Sequence, residues 1–328
     1  MSKKYAEIRV DTNVRFSYQS TFGTSVNEAA LDLIAQRFEV SRTISMLTLT
    51  LYTLGLAFGP VCTAPLSEVL GRRWIYVISS SFLLAFSAGA GAANNIGTLL
   101  VCRWFAGFFG SAGVAIGAGT LADIWCLEKE GGPASVLFIL GPFLGPTMGP
   151  LAGAYVLKDH NNDWRWTQWV LVILCAPVWV GAVLMRETSK NKILASLNVS
   201  EKAESPEQKP TLAHRLAGGL GKPVKMLCTE VIVLSLTLYT AFAYAMIFSY
   251  FASSSYVLAL YYGFDWQKIG LSFISVIIGY LLAALMFAVF DKTLYAKARD
   301  AGAGIAPPEH RLYSAMAGSV LLPVGLFW

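Results

Sequence analysis

The chain is predicted to be an all-α integral membrane protein with about eight membrane-crossing helices, and three observations predict it. Of its 328 residues, 55% are hydrophobic and only 14% charged, with a mean hydropathy of +0.55; a soluble chain carries about 25% charged residues. Eight uncharged stretches reach or approach the roughly 20 apolar residues that a hydrocarbon core requires. The Lys and Arg residues between them are distributed unevenly, as they are where charge fixes membrane orientation.

Residues 1–42 carry Lys3, Lys4, Arg9, Arg15, Arg37 and Arg42 without an apolar run. They lack the apolar core of a cleavable signal peptide and read as a non-membrane N-terminal segment standing in place of a first span. The uncharged stretches follow at 43–67, 74–102 (interrupted at Asn94-Asn95-Ile96-Gly97), 104–122, 133–157 and 166–185. A second set lies at 231–264, 269–290 and 312–328. Between the sets, residues 187–230 are polar and rich in Lys, Glu, Ser and Pro, the composition of a linker. The predicted units are therefore a helical bundle at 43–186, a cytoplasmic linker at 187–230 and a partial second bundle at 231–328.

With the loop at 68–73 placed in the cytoplasm, loops on that side hold 15 Lys and Arg, and opposite loops hold only Lys158, Arg165 and Lys268. The positive-inside rule then puts the central loop in the cytoplasm. The six basic residues of 1–42 fall on the wrong side, so a lost spanning helix is expected upstream of Thr43. The stretch 312–328 stops inside its hydrophobic run, and both ends are expected to be truncated.

The stretch 133–157 holds a Gly-Pro pair at every fourth position: Gly141-Pro142, Gly145-Pro146 and Gly149-Pro150, with Gly153 continuing the glycine series. Each interior proline removes a backbone hydrogen bond and costs about 3 kcal/mol in a water-exposed helix. In a membrane it is tolerable if neighbours satisfy the freed carbonyls. Gly141, Gly145, Gly149 and Gly153 share one slowly drifting face, which lets a second helix approach closely. A closely packed, kinkable helix of this kind suits a protein that alternates access between two sides of a membrane.

Three short stretches carry a family resemblance. The segment Ala64-Pro65-Leu66-Ser67-Glu68-Val69-Leu70-Gly71-Arg72-Arg73 resembles the loop motif between spans two and three of the major facilitator superfamily, G-x-L-x-D-R-x-G-R-R. Leu99-Leu100-Val101-Cys102-Arg103-Trp104-Phe105-Ala106-Gly107 resembles that superfamily's span-four motif, and residues 141–154 resemble its span-five antiporter motif. With Trp164-Arg165-Trp166-Thr167-Gln168-Trp169, the pattern is similar to fungal drug:proton antiporters with twelve spans. The resemblance implies an incomplete major facilitator fold holding family spans two to nine. It departs from the motifs at Ala64, Glu68, Val69, Ala106 and Ala154, of which Val69 and Ala106 replace polar groups.

What the resemblance implies is proton-coupled efflux of small compounds by alternating access, from a monomer in the plasma membrane whose partners are its substrate, protons and lipid. Arg103 would couple proton movement to exchange. Its alternative reading is snorkelling, since it lies only about 8 Å into its span at 1.5 Å per residue. An Arg cannot itself release a proton, and no carboxyl lies inside the uncharged stretches. By resemblance, Glu68, Gly71, Arg72 and Arg73 form a gating loop that pairs with Asp123; Arg72 and Arg73 also read as simple positive-inside anchors. Tyr239, Phe242, Tyr244 and Phe248 are candidates for cavity lining, against the alternative that they pack helices. The scarcity of acids points to neutral or lipophilic substrates, with a polyamine or other organic solute as the alternative. A membrane fragment that does not transport is the other alternative.

Other patterns fail on context. Gly117-Ala118-Gly119-Thr120-Leu121-Ala122 matches a dinucleotide fingerprint but follows no strand. Five scattered cysteines and three histidines in separate loops give no metal or disulfide spacing. No cofactor, metal, nucleic-acid partner or enzymatic activity is expected; the net charge of +5 comes from loops beside the bilayer.

Overall fold

The computed structural model describes residues 3–124, 131–185, 187, 225–297 and 312–327. The side chains of residues 3–13, 69, 118, 121–124, 131–135, 137 and 326–327 are not described. Most of the expected linker therefore lies outside the described residues. The described residues are helical, without strands: α1 (Lys3–Ser25), a one-turn 3-10 segment (Glu28–Ala30), α2 (Leu31–Phe38), α3 (Arg42–Leu70), α4 (Arg72–Gly91), α5 (Ile96–Gly110), α6 (Ala112–Ile124), α7 (Gly131–Asp159) and α8 (Arg165–Leu184). Beyond the linker come α9 (Val231–Leu260), α10 (Trp266–Ser272), α11 (Ile274–Phe290), a π turn (Asp291–Tyr295) and α12 (Tyr313–Phe327).

Among the described residues, six helices are long and apolar enough to cross a membrane: Arg42–Glu68, Arg72–Gly91, Ile96–Gly117, Arg165–Leu184, Val231–Leu260 and Trp266–Tyr295. The helix α7 is 29 residues long and holds the whole of the predicted stretch 133–157. The eighth predicted stretch gives only a short apolar helix, Tyr313–Gly325.

Local signals set the boundaries. The Ser41 side chain accepts the Ile44 amide at the start of α3 (3.4 Å). Asn95 Oδ1 accepts the Thr98 amide at the start of α5 (2.7 Å), so the interruption at 94–97 is an ordinary N-cap. Gly71 has φ +90°, which a side chain would strain. It turns the chain directly from α3 into α4.

Residues 1–42, expected as a non-membrane segment, contain a 23-residue helix, Lys3–Ser25, packed along α7. Hydropathy hides it because its inward face is polar: Ser17, Gln19, Ser20, Thr21, Thr24 and Ser25 are all buried. The two helices run parallel, since Val14 faces Gly141 and Val26 faces Gly153. Lys3, Lys4 and Arg9 therefore begin α1 at the end of the bundle where α7 begins.

The best-packed region lies in the first bundle, around Phe16, Phe22, Tyr52, Tyr76, Leu83, Ile116, Leu171 and Cys175. The second half meets it mainly along α7, which contacts α10 and α11. Gly270 of α10 permits this: a Cβ there would lie 2.9 Å from the Leu151 Cα. Most of α9 and α11 is exposed and apolar, as helices facing hydrocarbon are.

Candidate functional site

Arg103 is turned into the bundle and has no exposed surface. Glycines bring its surroundings close: a Cβ on Gly107 would lie 2.0 Å from the Tyr52 carbonyl oxygen, and one on Gly55 would lie 2.3 Å from that of Trp104. With α3 and α5 in backbone contact, the guanidinium reaches across α3 to α1. Its Nε donates to the Thr48 carbonyl (3.0 Å) and its Nη2 to the Gly23 carbonyl (2.6 Å). Gly23 is in the last turn of α1, whose carbonyls have no helical partner and carry the negative end of the helix dipole. The guanidinium also stands 4.4 Å over the Tyr52 ring, whose hydroxyl donates to the Ser20 carbonyl (2.8 Å). Nη1 has no hydrogen-bond partner. Of the two readings of Arg103, this geometry is that of a buried cation tying three helices together rather than a snorkelling one.

The Gly-Pro helix faces α1 along its glycine series. A Cβ on Gly145 would meet Thr21 Oγ1 at 2.2 Å and the Phe22 nitrogen at 2.6 Å; one on Gly149 would meet Ser25 Oγ at 2.1 Å. The Pro150 ring removes the amide that would bond the Pro146 carbonyl. Ser25 Oγ donates to that carbonyl instead (2.7 Å). The opposite side of α7 meets the second half, where Phe143 stacks on Tyr244 and packs on Tyr280, with ring centroids 5.6 and 5.5 Å apart.

At the end of the bundle where α4 begins, the Arg72 Nη1 donates to the Ile116 carbonyl (3.0 Å) and to Thr120 Oγ1 (3.3 Å) on α6. Its amide, the first of α4, donates to Glu187 Oε1 (2.9 Å). Arg73 Nη2 donates to the Val183 carbonyl near the end of α8 (3.1 Å). The loop thus joins the ends of α6 and α8. Glu68 is exposed, and Asp123 ends α6 one turn beyond Thr120 with a side chain outside the described residues. Sequence reasoning passed over Glu187, which sits where an acid at a helix N-terminus is favourable.

It also missed a polar cluster at the opposite end. Thr167 Oγ1 donates to Asn27 Oδ1 (2.7 Å), and Gln168 Nε2 donates to the same oxygen. Asn27 Nδ2 and Gln168 Oε1 are buried without a partner.

A cavity of about 860 Å³ opens between α1, α3 and α9. Its wall is mostly apolar or aromatic, including Met46, Leu49, Leu54, Phe248, Phe251 and Trp266, with Glu28 and Arg42 as its charged residues. Phe248 is thus on the cavity. Tyr239, Phe242 and Tyr244 do not line it: Tyr239 and Phe242 are exposed, and Tyr244 stacks on Phe143. The signal that would have found Glu28 is its isolation, as an acid just after a Ser/Thr-rich helix. Among the described residues no group of His, Cys, Asp and Glu could hold a metal ion.

Comparison with known proteins agrees with this architecture. Residues 19–328 match the family described as Major Facilitator Superfamily. The MFS-type transporter traF of Penicillium crustosum is 34% identical over 311 residues, covering 94% of this chain and 64% of traF. The efflux pump FUB11 of Gibberella moniliformis is 32% identical, covering 94% of this chain and 53% of the pump. The MFS-type transporter phm3 of a Pyrenochaetopsis species is 35% identical, covering 95% and 66%. The chain spans about half to two thirds of the length of these curated relatives. Among solved structures, the proton:xylose symporter XylE superposes with a TM-score of 0.66 at 14% identity, covering 90% of this chain and 70% of XylE. The human organic anion transporter MFSD10 gives 0.50 at 12% identity, covering 92% and 74%. With its polytopic helical architecture, its Gly-Pro helix and these matches, the chain is an integral membrane protein that belongs to the Major Facilitator Superfamily of transporters.

Proposed function

We propose that these helices belong to a proton-coupled antiporter that exports small lipophilic compounds by alternating access. The observation that carries this reading is the apolar, aromatic cavity of about 860 Å³ between α1, α3 and α9. Its volume and lining suit a small, largely apolar ligand. Of the three relatives named above, one supports export by its name, efflux pump, and two are named transporters. The Gly-Pro helix supports antiport through the family association of its motif, and it meets both halves of the molecule, as a moving part must.

In this reading α1 is the first span of its bundle and runs outward from the cytoplasm. Lys3, Lys4 and Arg9 then join Arg72 and Arg73 on the cytoplasmic side, which reduces the conflict between charge and topology and leaves Arg37 and Arg42 on the outer side. The central loop is cytoplasmic and the protein a monomer of the plasma membrane. Arg103 serves as a fixed cation that biases nearby proton equilibria while holding α1, α3 and α5. Arg72, Arg73, Glu68 and Asp123 form the cytoplasmic latch, whose breaking accompanies inward opening.

The test is export of Nile red from liposomes containing the chain. Imposing a proton gradient is expected to drive export, and R72A with R73A is expected to leave dye binding intact while slowing flux about tenfold, the effect of a latch worth about 1.4 kcal/mol. Flux that is equal with and without the gradient would reject the proton-coupled reading.

A further inference from the structure

Two cavities meet at one seam. The apolar cavity of about 860 Å³ shares Arg42, Tyr256, Ala259 and Trp266 with a second cavity of about 890 Å³. The second is more polar, with Asp32, Lys158, Asp265 and Gln267 on its wall. Among the described residues, Arg42 is the one charged residue that lines both. From this juxtaposition we propose that the compound bound here is an amphiphilic organic anion. Its apolar body fills the first cavity, and its carboxylate, or a comparable anionic head, lies on the Arg42 guanidinium. Such a substrate class rests on the export reading for its purpose, although its binding can be tested without transport.

The guanidinium is open to a ligand. Arg42 Nε lies 3.5 Å from Asp32 Oδ1, with both side chains nearly half exposed, and ion pairs between exposed groups are weak. The Tyr256 ring of α9 stands 6.0 Å away on the other side of the seam. Among the described residues Arg42 makes no hydrogen bond, so both Nη groups are available. A carboxylate takes two such N–H donors at once in the fork geometry that a guanidinium favours. Arg42 is also the first residue of a candidate span. A molecule lying along that span with its body among Met46, Leu49, Phe248 and Phe251 therefore brings its head to the end of the hydrocarbon, where amphiphiles place their polar groups.

The neighbouring charges permit an anion at the seam. Glu28, in the turn between α1 and α2 and outside the candidate spans, is the other charged residue on the apolar cavity. It accepts the Ser255 hydroxyl (2.6 Å). Burial pushes its acid up to about 7, with the Ser255 bond opposing the rise, so near pH 6 it is mostly uncharged and does not repel the ligand. In the polar cavity Asp32 and Asp265 are balanced by Arg42 and Lys158. Lys158 Nζ donates to Gln267 Oε1 (3.2 Å), a neutral partner that leaves its positive charge in place. A cationic head at the same point would face Arg42 directly, with the nearest acid, Asp32, already paired. Anionic lipids carry the same head chemistry, and the test below separates the two sources.

The full chain in phosphatidylcholine nanodiscs at about pH 6 provides the test, with three probes that share one apolar body: 1-pyrenebutyrate, 1-pyrenebutanol and 1-pyrenebutylamine. At that pH the first is an anion and the third a cation. Binding is read as the saturable part of energy transfer from tryptophan to pyrene, Trp266 lining both cavities. The carboxylate should bind about tenfold more tightly than the alcohol, and the amine more weakly than either. R42Q should bring the carboxylate-to-alcohol ratio to about one while leaving the alcohol within twofold of wild type. D32N, which removes the competing acid, should raise the ratio about threefold. Replacing a quarter of the lipid by phosphatidylglycerol should leave the difference between wild type and R42Q unchanged; its disappearance would assign the seam to lipid heads and overturn the proposal. So would an absence of saturable carboxylate binding, an amine that binds best, or a preference that survives R42Q. If R42Q loses all three probes, D32N decides, and a ratio that does not rise rejects the site. Head selectivity without gradient-driven flux would reject the export reading and leave the site standing; gradient-driven export without head selectivity would do the reverse.

Discussion

Arg103 illustrates how one residue can serve both packing and charge. Its Nε and Nη2 bonds end on carbonyls of two other helices, so truncation leaves those carbonyls facing apolar neighbours. R103A should lower unfolding stability by about 2 kcal/mol, read as a drop in melting temperature in detergent. R103K keeps the charge but cannot span both carbonyls and should fall between wild type and R103A; equal melting temperatures for all three would contradict this geometry. Glu28 belongs to the same scale. Its folded value near 7 lies above the 4.5 of the free acid, so the folded chain holds the proton more tightly than the unfolded chain does. Stability from this group is fully present below about pH 4.5 and declines as pH rises to about 7. E28Q should flatten that decline in a pH series of melting curves. Sequence alone marks Arg103 as the lone charge in its stretch, but which way it points depends on glycine contacts between distant segments. Glu28 stands out in the sequence only by its isolation, which does not show that Ser255, more than two hundred residues away, meets it.

Among the elements, α7 explains most of the fold. Its glycine series demands a partner with small or polar side chains, and α1 supplies Thr21 and Ser25 at the contacts. That demand was readable in the repeat, whereas α1 has low hydropathy because much of its buried face is Ser, Thr and Gln beside Phe16 and Phe22. Polar residues buried between helices are stable when bonded, as Ser25 is to the Pro146 carbonyl. A double-mutant cycle tests this. S25A should cost about 1 kcal/mol, and in a P150A background, where position 150 regains an amide for the same carbonyl, the cost should shrink toward zero. An unchanged cost would show that Ser25 does not replace the bond removed by Pro150. G145L should be worse than either change, because a side chain there meets the α1 backbone; about 3 kcal/mol is expected for such overpacking. The predicted α3, α4, α8, α9 and α11 needed no such inference, since apolar length and flanking charge were sufficient to mark them.

For the whole molecule, the arrangement is a well-packed first bundle joined to a second half through α7, with an apolar cavity beside the joint. The two ends differ in chemistry. At one, Arg72 and Arg73 bind the ends of α6 and α8; at the other, Glu28 and Arg42 meet α9. Alternating access requires that these two sets of contacts break in turn. The direct measurement is uphill movement of Nile red in liposomes containing the chain under an imposed proton gradient, with proton flux recorded in the same vesicles. The account predicts dye moving against its own gradient, opposite in direction to the protons, and reversing when the proton gradient is reversed. Dye that moves only down its own gradient, with proton flux unaffected by its presence, would contradict it.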